Sequence, residues 1–475
     1  LQHYTSQSLD APHLPWENQI FKVKVLVDPL GNKTNTGANG SGIPDQPVVI
    51  VPGEVSGFYV DKNLPVKELD RAAAAVSRSA YCITLLGGLQ VGWFGPLLPS
   101  IAQAQHLPLE KVGILVSAVC AGGLCSLAAS RPIIARLADL RTTLLAASLI
   151  ALGFIGLGTL SGLIPLAACA FCYGMGAGLN SIASHILFPR YYPNRVASAL
   201  SKLNVFFGIG ALIGPMIALI LFSLKAQYNW IFAFAGVCAL SICAYLLRAD
   251  HLSSRSGGKG MIDSTDNTKT LKVDGLKTVI THPILIALTA INFLYVGIET
   301  TLGAWIYTFL QRAESLDGAI ASSAVSLLWA GLTLGRMASA RACLKVNPKY
   351  VTMAAMLILV SAIFTAANLH MGAWVALPVV LLMGFGLGPI FPTVVAQSAT
   401  RFPSASSATT TVVIASGNFG GMLLPWLAGY ALAAYGASNF MLLTGVTALL
   451  LPILLALALF PIWHHRQPHR QHQEN

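Results

Sequence analysis

The chain has 475 residues, of which 55% are hydrophobic and 10% charged, with a formal net charge of +11. Soluble domains carry about a quarter charged residues, so an ordinary soluble enzyme is excluded, and apolar runs long enough to cross the hydrocarbon core identify a polytopic membrane protein. The basic residues sit in the loops between those runs, where topology accounts for them without invoking nucleic acid.

Residues 1–70 are polar and rich in Gly, Pro and Asn, and read as a largely disordered cytoplasmic N-terminal segment. The chain opens on Leu1 and its first methionine is Met175, inside the fourth span, so residues upstream are expected. Twelve spans follow, at 79–103, 109–129, 142–163, 164–188, 197–223, 227–248, 283–309, 318–341, 350–369, 372–397, 407–434 and 437–462. They divide into an N-terminal six-helix bundle over 71–248 and a C-terminal one over 282–463. A cytoplasmic linker at 249–281 joins them, and a tail follows at 464–475.

Alternate loops carry the basic residues: Arg131, Arg136 and Arg141, then Arg190 and Arg195, then Arg341, Lys345 and Lys349, then Arg401. The opposite loops hold only Lys111, Lys225 and Arg312. By the Lys/Arg bias both termini are expected to be cytoplasmic.

The two halves repeat. Displacement by 210 residues brings Gly87 onto Gly297, Gly174-x-Gly176-x-Gly178 onto Gly384-x-Gly386-x-Gly388, and Gly210 with Pro215 onto Gly420 with Pro425. Parallel repeats of this kind place a cavity at their junction near the bilayer midplane. All eight cysteines lie in or beside spans and read as packing residues; Cys169-x-x-Cys172 has redox spacing but no βαβ surroundings. Nucleotide loops, zinc-ligand spacings and nucleophile–base pairs are not found, so neither an enzyme nor a bound metal or cofactor is expected.

Six motifs in order carry a family resemblance: Gly95-Pro-Leu-Leu-Pro99, Gly174-Met-Gly-Ala-Gly-Leu179, the run Ala199 to Gly214-Pro215, Phe293-Leu-Tyr-Val-Gly-Ile-Glu299 with Gly303-Ala-Trp305, Trp329-Ala-Gly-Leu-Thr-Leu-Gly-Arg336, and Gly384-Phe-Gly-Leu-Gly-Pro389 followed by Ala415 to Pro425. Over about residues 80–462 the chain resembles major facilitator superfamily transporters, nearest the branch of fucose:proton symporters and sodium-dependent glucose carriers. Departures accompany the likeness. The loop between spans 2 and 3 is a shortened Ala135-Arg-Leu-Ala-Asp139-Leu-Arg141, and the carboxylates that fucose symporters use in spans 1 and 4 are replaced by Gln90-Val-Gly-Trp and Asn180-Ser181. The resemblance implies an all-α fold of twelve transmembrane helices in two pseudo-symmetric bundles.

Glu299 is the one carboxylate placed well inside a span, and an acid there is a functional candidate by default because it is costly to bury. It is expected to carry a coupling proton, with sodium as the alternative ion; the competing reading is an acid bonded to a neighbouring helix. Spans 1, 4, 7 and 10 line the cavity in the superfamily. Gln90, Trp93, Asn180, Asn292, Tyr295, Glu299 and Trp305, joined by Asn418 of span 11, are the solute-binding candidates, the amides alternatively serving as interhelical glue. Ser181, His185, Asn204, Phe391 and Thr393 are further polar or aromatic residues of this set. Asp139, Arg141, Gly210, Pro215, Arg336, Gly420 and Pro425 are the gating candidates, with Arg336 expected to snorkel at the cytoplasmic end of span 8.

The implied function is proton-coupled import of a small polar solute, a monosaccharide or polyol, by a monomer in the plasma membrane. An uncoupled facilitative carrier, or an exporter of amphipathic drugs or metabolites, is the alternative.

Overall fold

The computed structural model describes residues 66–137, 139–192, 195–255, 279–368 and 372–459. The readings for residues 1–65, for most of the linker and for the tail lie outside the described residues.

The helices are α1 (Val66–Ala104), α2 (Leu109–Val112), α3 (Ile114–Arg136), α4 (Asp139–Thr159), α5 (Leu163–Tyr191), α6 (Val196–Ser223) and α7 (Asn229–Arg255) in the first half. The second half has α8 (Pro283–Arg312), α9 (Gly318–Ala342), α10 (Pro348–Asn368), α11 (Ala373–Leu387), α12 (Ile390–Arg401) and α13 (Ser406–Leu459), with a 3-10 turn at Pro403–Ala405. The first helix begins at Val66, inside the stretch read from the sequence as tail.

Eleven described helical segments are long and apolar enough to cross a membrane. The last of them folds back at Gly436, whose φ of 82° and ψ of 170° are open to glycine but not to a residue with a Cβ. Its two limbs are therefore separate spans, and the expected twelve are present. In two spans the hydrogen-bond ladder is interrupted while the backbone stays helical: in the second at Gly113, and in the tenth at Gly388-Pro389, where the proline cannot donate. Exposed Trp230, Trp374 and Tyr435 stand near helix ends on one side of the bundle, as aromatic residues do at a membrane interface.

Matching neighbours pair in the two halves. α1 packs on α6 and α3 on α5 in the first; α8 packs on the first limb of α13 and α9 on α11 in the second. The repeated glycines are the points of closest approach. A Cβ on Gly174 would run into the Val119 carbonyl, and one on Gly384 into that of Leu328; Gly176 meets Ala146 and Gly386 meets Ala355; Gly210 meets Leu85 and Gly420 meets Phe293. These backbone partners are themselves 209, 209 and 208 residues apart, so the sequence repeat is a repeat of helix–helix contacts. Small residues drive such packing where lipid removes any hydrophobic incentive for helices to associate.

Gly384→Val is accordingly expected to lower the melting temperature of the purified protein. Its side chain would meet unyielding backbone, a strain of about 1–3 kcal/mol or more. Gly372→Ala, which meets nothing within 4 Å, is the control and is expected to leave melting unchanged.

Candidate functional site

On α8, Asn292, Tyr295 and Glu299 stand three and four residues apart and so share one helix face. Asn292 and Tyr295 are fully buried, whereas Glu299 remains half-buried although protein surrounds it on several sides. Glu299 lies 13 residues before the end of α8 at Arg312, about 20 Å along the helix. Arg336 lies 18 residues into the antiparallel α9, about 27 Å from the same end of the bundle. An arginine side chain spans the difference.

The Arg336 guanidinium lies within electrostatic reach of both Glu299 and the Tyr295 hydroxyl, and the hydroxyl within reach of both charges. The three approach one another without closing. The Tyr295 hydroxyl is directed at Glu299 and Arg336, but neither it nor Arg336 Nε meets strict hydrogen-bonding geometry, and among the described residues no contact ion pair joins Glu299 to Arg336. The helix of span 8 ends at Ala342, close to the expected 341, and Arg336, six residues before that end, turns toward the acid instead of snorkelling. Cys120 of α3 also faces Glu299.

Five further buried atoms on α8 and α9 lack partners: Asn292 Oδ1, whose amide nitrogen donates to the Val413 carbonyl at 2.6 Å, Thr301 Oγ1, Thr308 Oγ1, Ser322 Oγ, and Trp329 Nε1, two turns from Arg336 on α9. Buried polar atoms are almost always paired. Of the seven unpartnered atoms on these two adjacent helices, Tyr295 Oη and Arg336 Nε belong to the groups within electrostatic reach of Glu299. Phe391, just past the break in the tenth span, brings its ring centroid to 6.3 Å from that of Tyr295.

The first half contributes no charge here. The positions 210 residues before Tyr295, Glu299 and Arg336 are Leu85, Leu89 and Ser126. Gln90 is buried; Asn180 donates to Thr84 Oγ1 at 3.3 Å; Trp93 is fully buried with its ring 6.4 Å from Phe154, in the core of its own half. Asn418 donates at 3.4 Å to a carbonyl of its own helix, and its Oδ1 faces Gly123 of α3. Thr393 is occupied by Pro389 and Thr352. Ser181, His185 and Asn204 are exposed.

The halves touch mainly on the side away from the basic loops. A Cβ on Gly95 would strike the Gly303 carbonyl, Ser326 donates across the halves to Leu212 at 2.9 Å, and Phe207 stands edge-on to Trp329. Trp305 is the centre of this closure. It is fully buried, donates Nε1 to the Pro425 carbonyl at 2.9 Å, and lies so close to Gly113 and Gly429 that a Cβ there would approach it to 2.8 and 2.6 Å. Toward the basic loops, α5 makes no extensive contact with α11 or α12 among the described residues. The conformation is thus shut on one side and parted on the other.

At the basic end, Tyr191 donates to the buried Asp139 at 2.6 Å, and the acid sits at the start of α4, where a helix favours negative charge. Arg141 instead meets Asp250 of α7 at 3.5 Å, with side chains 59% and 29% exposed. Such a pair contributes about 0–1 kcal/mol, so Asp250→Asn is expected to shift melting by no more than a degree or two. Gly210 packs on α1, Pro215 abuts Gly92, and Gly420 packs on α8.

An apolar groove of about 610 Å3 lies between α3, α8 and α13, lined by Leu124, Leu285, Phe293, Val412 and Phe419 among others. A second, about 180 Å3, lies between α8 and α13. Neither is lined by Glu299.

The model of the Major Facilitator Superfamily matches residues 80–417. The glucose/mannose transporter GlcP of Bacillus subtilis (strain 168) is 21% identical over 351 residues, covering 71% of this chain and 83% of that protein. Among solved structures, a point mutant of the nucleoside transporter NupG superposes with a TM-score of 0.69 at 10% identity, covering 81% of this chain and all of that one. The D-xylose–proton symporter superposes at 0.64 with 14% identity, covering 80% and 97%. At such identities the structural likenesses establish the fold alone.

Proposed function

The chain belongs to the Major Facilitator Superfamily, and on that premise we propose that it moves a small, hydroxyl-rich solute, a monosaccharide or polyol, by alternating access with Glu299 carrying a coupling proton. The observation behind this reading is one half-buried acid with Tyr295 and Arg336 in electrostatic reach, on two helices that carry seven unpartnered buried polar atoms. The relative that transports glucose and mannose, and the fold shared with a xylose–proton symporter, point the same way.

Protonation of Glu299 removes its charge and with it the attraction on Arg336, so that the unpartnered guanidinium and phenol donors turn to the solute. Solute and proton together then stabilise the occluded arrangement, and opening of the other side releases both. The unloaded carrier returns with Glu299 and Arg336 compensating each other. In this reading the protein acts as a monomer in the plasma membrane with both termini in the cytoplasm.

Reconstituted into liposomes, the protein is expected to accumulate labelled D-glucose or D-xylose above the outside concentration when a pH gradient is imposed, and to lose that excess on addition of a protonophore. Uptake that levels at the outside concentration would support an uncoupled carrier instead. The apolar groove beside α8 favours one other reading, export of amphipathic compounds; raised resistance of expressing cells to amphipathic toxins, without sugar uptake, would favour it.

A further inference from the structure

The charges around Glu299 are few enough to add. The groups that face it are Tyr295 on its own helix, Arg336 from α9 and Cys120 from α3. The other elements packed against α8 bring no charge to this depth: α13 contains no acidic or basic residue, α11 contains none, the one charge of α12 is Arg401 at its far end, and those of α1 lie before Ala80. With Glu299 ionised, the acid and Arg336 sum to zero. With Glu299 protonated, the site carries one positive charge.

A neutral sugar would leave that charge uncompensated when the site closes, and uncompensated buried charge is strongly disfavoured. A carboxylate would cancel it. The orphaned atoms favour the same chemistry. Arg336 Nε and Trp329 Nε1 can only donate, the Tyr295 and Thr301 hydroxyls can donate or accept, and Asn292 Oδ1 can only accept. A carboxylate only accepts, and a guanidinium is its natural partner. Asn292 Oδ1 suits a hydroxyl.

We propose that the solute is a hydroxy-carboxylate of sugar size, its carboxylate held by Arg336 opposite a protonated Glu299, so that anion and proton cross together and no net charge moves. The proposal rests on the proton-coupled reading above and narrows its solute from the neutral sugar to the sugar acid. The balance is simple: one proton binds Glu299 and one anion binds Arg336 on the entry side, and both leave on the other. The site is neutral when loaded and when empty.

The test uses the full chain in liposomes with labelled D-gluconate and D-glucose, an imposed pH gradient, and the membrane potential set by potassium and valinomycin. Gluconate is expected to accumulate at a rate the potential does not change. Arg336→Gln is expected to raise the half-saturating gluconate concentration about a hundredfold or more, as truncating one member of a buried charge pair does, and Arg336→Lys less. Proton-driven glucose accumulation without gluconate uptake would overturn this inference and leave the proposed function standing. Gluconate uptake that follows the potential would also overturn it. If neither solute moves, both readings fall. Should Arg336→Gln not fold, the potential test on the unaltered protein decides alone.

Discussion

Glu299→Gln is expected to abolish accumulation while leaving exchange of labelled for unlabelled solute intact. The variant keeps the size and hydrogen-bonding capacity of the side chain but cannot release a proton. A pH gradient of one unit is worth about 1.4 kcal/mol, a tenfold accumulation, and in the variant the ratio should fall to one. A competing effect has to be weighed: glutamine leaves Arg336 without its counter-charge, and breaking a buried pair costs about 3–5 kcal/mol. That figure is an upper bound here, because the two groups form no contact pair and both residues keep some exposure. The variant is therefore expected to fold with a lowered melting temperature. Accumulation that survives in folded Glu299→Gln protein would remove the acid from the coupling mechanism.

Gly113→Leu is expected to stop the transport cycle. Gly113 has φ −55° and ψ −23°, ordinary helical values, so leucine there brings no backbone strain. All of its cost comes from collision with the Trp305 ring, which a Cβ alone would approach to 2.8 Å. Gly113 belongs to the first half and Trp305 to the second, so the collision exists only when this side is shut. Overpacking of about 1–3 kcal/mol or more then falls wholly on one conformation and shifts the equilibrium by about five- to 150-fold. Tracer uptake should drop accordingly. Trp305→Ala in the same protein should restore much of it, since two residues in contact are not additive. Equal loss in the double variant would place the effect elsewhere.

Much of this architecture is legible in the amino-acid order, because lipid imposes a simple rule on it. The spans follow from apolar length, and the glycine repeat at 210 follows from the need for small residues wherever two helix backbones approach. The folding-back at Gly436 also agrees with the span boundaries read from hydropathy. Contacts between spans are a different matter. An arginine near the end of an apolar run reads as a snorkelling residue, and only the antiparallel placement of α8 and α9 shows Arg336 level with Tyr295 and Glu299. Trp305, six residues beyond an acid, reads as a sugar platform, yet in this conformation both faces of its surroundings are glycine and its N–H is taken by Pro425. Asp139 and Arg141, two residues apart, read together as gating candidates, but each meets a different helix, Asp139 the Tyr191 hydroxyl of α5 and Arg141 the Asp250 carboxylate of α7. A periodic signal was available for one feature: Asn292, Tyr295 and Glu299 share a helical face, and their spacing marks them as a group.

The central claim is that Glu299 lies in a compartment reached from one side of the membrane at a time, and Cys120 reports on it directly, being half-buried and facing that acid. With Cys120 as the sole remaining cysteine, a membrane-impermeant thiol reagent can be applied to vesicles of either orientation. The account predicts labelling from the side of the basic loops and protection from the opposite side where Trp305 closes the bundle, with Gly113→Leu opening the protected side. Equal labelling from both faces of the unaltered protein, or a pattern that Gly113→Leu leaves untouched, would contradict it.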